Sequence, residues 1–322
     1  MTRRSVRTAL LAVGMAITLA VAGCSGDTDV SGGGSGDAAS GGSLAEDYDL
    51  EGASLTVGSK EFTENRILGQ ITIAALQAAG ADVTDKTGIS GTDTVRAALD
   101  SGEIDMYWEY TGTGWVNILG NTSEQLPDDL YTAVKDADAA NGVTWIGPAK
   151  FNNTYAIAVK SDFAKENDLE TISDAATYLA DNPDAQLCAA SEFINRDDGL
   201  PGLEAAYGMK FGGPVEVDLN LIYTQLGKDC DFGEVFATDA RVKSNDLVVL
   251  EDDKKFIVPY VGALTVKSDI ADEYPDIDKM FADIAEKLDD ETMIDLNGKV
   301  DLDGEKEADV AKQWLQENGY ID

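Results

Sequence analysis

Ser54-Leu55-Thr56-Val57-Gly58 is a β-type run, and it leads within a few residues into Glu64 to Ala79, where apolar side chains recur at helical spacing. In that second stretch Ile67, Leu68, Ile71, Ala74, Ala75 and Ala78 share one face, Thr63 stands where an N-cap belongs, and Gly80 ends the pattern. The alternation then repeats. Thr92 to Ser101 and Pro127 to Ala140 read as helices, and Ile104 to Glu109 and Tyr155 to Lys160 as strands. Helical patterns at Ser173 to Ala180 and near Leu200 to Tyr207 flank a strand at Gln186 to Ala190. Strands follow at Asp246 to Leu250 and Phe256 to Val266, and the tail from Asp276 to Asn318 is helical again. This order predicts an α/β fold with largely parallel sheets. Asp295-Leu296-Asn297-Gly298 and Asp301-Leu302-Asp303-Gly304 carry glycine too early for calcium loops of the EF type and read as turns.

Upstream of this block the chemistry changes. Arg3, Arg4 and Arg7 precede an apolar run from Ala9 to Ala22, the layout of an export signal, and that run is shorter than the ~20 residues a bilayer span needs. Val21-Ala22-Gly23-Cys24 resembles the lipobox of bacterial lipoproteins, so residues 1–23 are expected to be a signal peptide and Cys24 the acylated first residue. An ordinary cleaved signal with an incidental cysteine is the alternative, and the Arg3-Arg4 pair leaves the export route open. From Ser25 to Ser43 the chain is almost all Gly, Ser, Ala and Asp, too polar to repay the entropy of ordering, and residues 24–49 are assigned to a flexible tether.

Composition narrows the function. The 322 residues carry a formal charge of −36, and without the three leader arginines 21 basic residues face 60 acidic ones. Nucleic acid and anionic lipid surfaces are poor partners for such a chain. There is no histidine, which removes Ser-His and Cys-His catalysis and the commonest transition-metal ligand. A phosphate loop and a nucleophile elbow are also missing from the folded part. The chain is therefore read as a binding protein without cofactor or metal. Once Cys24 is assigned to a lipid, Cys188 and Cys230 remain, an even number that suggests one disulfide in an oxidising compartment, with two separately buried thiols as the alternative.

Three segments carry a resemblance: Gly58-Ser59-Lys60-Glu61-Phe62-Thr63-Glu64, Asp105-Met106-Tyr107-Trp108-Glu109-Tyr110-Thr111-Gly112-Thr113, and Phe193-Ile194-Asn195-Arg196-Asp197-Asp198-Gly199-Leu200. Together they are similar to the glycine betaine, carnitine and choline binding proteins of ABC importers, from Leu50 to the end of the chain. The resemblance implies a two-lobed periplasmic-binding-protein fold of the type with two crossovers and a ligand cleft between the lobes. Residues 50–155 plus 261–322 would form lobe 1 and 156–260 lobe 2. It further implies a monomer on the extracytoplasmic face of the membrane, held by its lipid, that hands a small quaternary-ammonium ligand to the permease of an importer.

Carried over by motif, Tyr110, Tyr155 and Tyr260 would be three walls of an aromatic box around the ammonium, and Phe236 the fourth, where many relatives place tyrosine. Lys60, Thr113 and Arg196 would hold a carboxylate. A quaternary ammonium has no N–H to donate, so ring faces recognise it by shape and quadrupole, at up to about 2 kcal/mol per desolvated contact. Arg196 adds a planar fork that can orient a carboxylate. Other readings stay open on the sequence: Arg196 in a surface ion pair with Asp197 or Asp198, Lys60 exposed at a strand end, and Tyr223 standing in for Phe236. Competing functions are a secreted enzyme working through carboxylates, a choline-type cation binder, and an osmolyte sensor without a transport role.

Overall fold

A computed structural model describes residues 42–123 and 125–322. The leader, Cys24 and most of the tether lie outside the described residues. The part of the tether that falls within them is folded: Ser43–Asp47 is a short helix, Leu44 is buried, and the backbone amides of Ser43 and Leu44 donate to the carbonyls of Gly319 and Tyr320. One leucine at the end of a Gly/Ser run is too little pattern to announce this.

Among the described residues, ten strands form two five-stranded sheets. The first holds β1 (Ser54–Lys60), β2 (Asp82–Ile89), β3 (Met106–Tyr110), β4 (Val143–Ile146) and β10 (Gly262–Lys267), in the order β2-β1-β3-β10-β4. The second holds β5 (Tyr155–Lys160), β6 (Leu187–Ala189), β7 (Pro214–Glu216), β8 (Phe232–Phe236) and β9 (Leu247–Val249), in the order β7-β6-β8-β5-β9. The chain passes between sheets twice, through residues 147–154 and 250–261, which makes this the two-lobed, doubly crossed architecture. Tyr155, placed at the end of lobe 1 by the sequence, opens β5 in the second sheet.

The sheets are mixed rather than largely parallel. β1 pairs in parallel with β2 and β3, and β6 with β7 and β8, but β10 and β5 run antiparallel to both of their neighbours. Those two are the strands that follow the crossovers, so each enters its sheet from the far lobe. The expected strand at Phe256 to Val266 begins only at Gly262, because its first half is crossover. β2 went unread since most of its residues are exposed and show no apolar alternation.

The helix Thr63–Ala78 covers the first sheet, with Ile67, Leu68 and Ile71 buried in one core with Leu55 and Val57. The helix Glu307–Glu317 packs along it through Val310, Ala311 and Leu315. Each large aliphatic side chain buried this way is worth about 1.5–3 kcal/mol. Thr63 is the first helical residue rather than a cap, and its hydroxyl donates to Asp301 at 2.7 Å. Asp295 to Gly298 belong to the helix Asp290–Asp301, not to a turn. In the second lobe Cys188 in β6 and Cys230 ahead of β8 form a disulfide, with Cα atoms 5.6 Å apart.

Candidate ligand-binding cleft

Between the lobes lies a cleft of about 490 Å³ measured out to its mouth, and Lys60, Tyr110, Thr113, Tyr155, Arg196, Phe236 and Tyr260 all line it. The strands explain the convergence. Lys60 ends β1 and Tyr110 ends β3, while Tyr155 begins β5 directly opposite Phe236 at the end of β8. Tyr260 comes from the second crossover, held by its N–H to Asn152 Oδ1 at 2.6 Å and its carbonyl to the Asn153 N–H. Its ring reaches the Thr111–Thr113 turn only because residue 112 is glycine, where a Cβ would stand 2.8 Å from the Tyr260 ring.

The rings form an arc. Neighbouring centroids are 6.0 Å apart from Tyr110 to Phe62, 5.5 Å from Phe62 to Phe236, 5.3 Å from Phe236 to Tyr155, and 5.2 Å from Tyr155 to Tyr260. Phe62 belongs to this arc although the sequence reading passed over it, two residues from Lys60 in a quoted segment. Tyr223 is not in the arc. It is buried behind it, where its hydroxyl accepts the Phe236 N–H at 3.2 Å and Arg241 stacks 4.3 Å from its ring.

The basic groups sit among buried acids. Lys60 is 5% exposed and donates to Glu109 at 2.7 Å and to Thr92 at 3.0 Å, so it is not an exposed strand-end lysine. Arg196 pairs with Asp198, as one sequence alternative had it, but in the interior. Its Nε and Nη2 grip that carboxylate at 2.8 and 2.6 Å, Tyr260 donates to the same group, and Nη1 reaches Glu192 at 2.8 Å. The remaining Nη1–Nη2 edge meets only Thr113 Oγ1, at 3.5 and 3.4 Å. That long, shared contact leaves the edge able to take a carboxylate. Burial alone would raise the Glu192 carboxyl, yet the nearby Lys60 and Arg196 charges hold it below its usual range.

Polar contacts bridge the lobes around the cleft. Thr92 donates to Glu192 at 2.6 Å, and Arg196 reaches Thr113. Deeper in, Glu64 accepts from Tyr110 Oη at 2.9 Å, Asn153 Nδ2 at 2.7 Å, Thr238 Oγ1 at 2.5 Å and Asn297 Nδ2 at 3.2 Å. Burial pushes the Glu64 carboxyl up to about 7 despite those four donors. Glu234, also in the lining, is pushed to about 8 by burial, with the Ala190 N–H opposing the shift. Among the described residues no group of three or more Cys, Asp or Glu is placed to hold a metal.

A cleft between two lobes, lined by ring faces and by a guanidinium that itself lies 5.7 Å from the Tyr155 ring centroid, suits a solute-binding protein. The chain belongs to the family described as the substrate binding domain of ABC-type glycine betaine transport system, whose model matches residues 53–317. It is 36% identical over 278 residues to a glycine-betaine-binding protein of Pseudomonas aeruginosa, covering 83% of this chain and 89% of that one. It is 35% identical to the ergothioneine transport permease/ergothioneine binding protein EgtU of Helicobacter pylori, covering 84% of this chain but only 48% of that protein. A crystal structure of a glycine betaine/carnitine/choline ABC transporter superposes with a TM-score of 0.68 at 26% identity, over 83% of this chain and 100% of the other. The protein is thus the substrate-binding component of an ABC-type transport system, works outside the cytoplasm, and is not an enzyme. No helix among the described residues is long and apolar enough to cross a membrane.

Proposed function

We propose that this protein captures a betaine, of which glycine betaine is the simplest, with the trimethylammonium against the arc of rings and the carboxylate on the open edge of Arg196, within reach of Lys60 and Thr113. It delivers that ligand to an importer's permease as a monomer anchored through acylated Cys24. The observation that carries the reading is the coexistence, in one cleft, of five rings in series and a guanidinium edge with no close partner. Glycine betaine, carnitine, choline and ergothioneine, for which the similar proteins are named, share the trimethylammonium group that such rings suit. Choline is the second reading, favoured by the acids that already surround Lys60 and Arg196.

Calorimetric titration of glycine betaine and choline tests this. Tyr155→Ala should weaken both ligands by about 1–2 kcal/mol, because both present the same cation. Arg196→Ala, made together with Asp198→Asn so that Asp198 is not left as an uncompensated buried acid, should cost glycine betaine roughly 3–5 kcal/mol and leave choline nearly unchanged. Equal losses for the two ligands would remove Arg196 as the carboxylate partner, and no binding of either by the wild type would remove the betaine reading. For the anchor, Cys24→Ala should move the protein out of the membrane fraction or block its processing. Retention of that variant in the membrane, fully processed, would show that Cys24 is not the anchor.

A further inference from the structure

Glu234 lines the cleft beside the rings and cations proposed to hold the two ends of a betaine. It lies on β8 two residues before Phe236, so both side chains leave the strand on the same face. The residue is 1% exposed. Its Oε2 accepts the Ala190 N–H at 2.8 Å, whereas its Oε1 is buried and has no hydrogen-bond partner. Buried polar atoms are nearly always paired, and an exception inside a binding cleft is explained most simply by a group that the ligand brings.

The position of Glu234 says which part of a ligand that would be. On one side it adjoins the rings of Phe236 and Tyr155 through the β5–β8 pairing. On the other, Ala190 leads into the short helix Ser191–Asn195, which carries Glu192 and is followed by Arg196. Arg196 itself lies 5.7 Å from the Tyr155 ring centroid, so a ligand held between the rings and the Arg196 edge stays in the same narrow cleft that Glu234 lines. A hydroxyl there suits the carboxyl in either protonation state, since it accepts from the neutral acid and donates to the carboxylate. Asn153, which also lines the cleft, carries a second buried acceptor without a partner, its Oδ1.

We infer that Glu234 reads a hydroxyl carried by the ligand between its ammonium and its carboxylate, and so makes the cleft selective for hydroxylated betaines over their deoxy counterparts. The inference rests on the betaine reading and narrows it. L-carnitine and γ-butyrobetaine are the probes, because they share chain length and both charges and differ by that one hydroxyl. Dissociation constants for both would be measured on the full chain and on Glu234→Gln and Glu234→Leu, with Glu234→Ala in place of the leucine variant should that one not fold.

The wild type should prefer carnitine by about tenfold or more. Glu234→Gln should keep most of this preference, since an amide can pair with the Ala190 N–H and the hydroxyl together. Glu234→Leu should bring the ratio of the two constants to within about threefold of one. A wild-type ratio near one, or a preference that survives in the apolar variant, overturns the role of Glu234 while leaving the betaine reading intact. Failure of the wild type to bind either compound would instead strike the betaine reading, and this inference with it.

Discussion

Phe62 stands in the middle of the arc, with Tyr110 on one side and Phe236 on the other. It is half-buried, so its ring contributes more to the cleft than to the core. Phe62→Ala should therefore weaken trimethylammonium ligands by about 1–2 kcal/mol, roughly five- to thirtyfold, while the melting temperature of the empty protein barely moves. Phe62→Tyr should be tolerated because it keeps the ring face. Titration of the two variants, with melting curves alongside, checks both points, and unchanged affinity in Phe62→Ala would take that ring out of the site. At this scale the motifs were informative about residue type and poor about partners. Tyr110, Arg196 and Lys60 could be picked out by context, but Asp198, Glu109 and Glu192 could not be singled out among 60 acidic residues. Their roles depend on which carboxylates are buried beside which cations, and that is a property of the folded chain.

The disulfide is an element-scale device. Cys188 lies in β6, and Cys230 lies just ahead of β8, the parallel neighbour of β6. The bridge closes a loop spanning 42 positions, which contains the helix Leu200–Tyr207, β7 and the helix Leu219–Gln225. In the chain-entropy picture, opening such a loop costs about 4 kcal/mol, on the order of 10 °C in melting temperature for a domain of this size. The double substitution Cys188→Ser, Cys230→Ser should lose that much in thermal denaturation under non-reducing conditions, and the wild type should fall to the same level in reductant. Equal melting temperatures with and without reductant would show that the bridge does not hold this lobe. The elements themselves were legible where one face is apolar, as in Thr63–Ala78, and illegible where a strand is short or exposed, as in β7 and β2.

Across the whole molecule, Glu64 ties the lobes to one another and to the tail. Its partners come from the end of β3 (Tyr110), the first crossover (Asn153), the segment after β8 (Thr238) and the helix Asp290–Asp301 (Asn297). Its carboxyl titrates near 7 in the folded protein against 4.5 ordinarily, and Glu234 is displaced in the same direction, to about 8. Raised acids bind more protons in the folded state, so the contribution of these two to stability is greatest below the ordinary carboxylate range and is lost as pH rises to the folded values. For Glu64 alone the loss is about 3 kcal/mol, complete above neutrality. Melting temperature should accordingly decline from pH 5 to pH 8.5, and Glu64→Gln should flatten most of the decline up to pH 7. A wild-type profile that rises over that interval would show that the four donors outweigh burial and keep Glu64 ionised.

By itself the sequence determined the alternation of strands and helices, and its resemblance to one family picked out seven residues that the fold brings to a single cleft. Local periodicity carries the first and short motifs the second, and both are written in neighbouring residues. Only the tertiary structure decided the antiparallel insertion of β5 and β10, the placing of Phe62 rather than Tyr223 in the arc of rings, and the burial of Asp198 against Arg196. It also decided which of many glutamates, Glu64, Glu109 and Glu234, lose their water. Those outcomes depend on contacts between residues tens to hundreds of positions apart, made when two crossovers close one lobe on the other, and no local pattern in the chain encodes them.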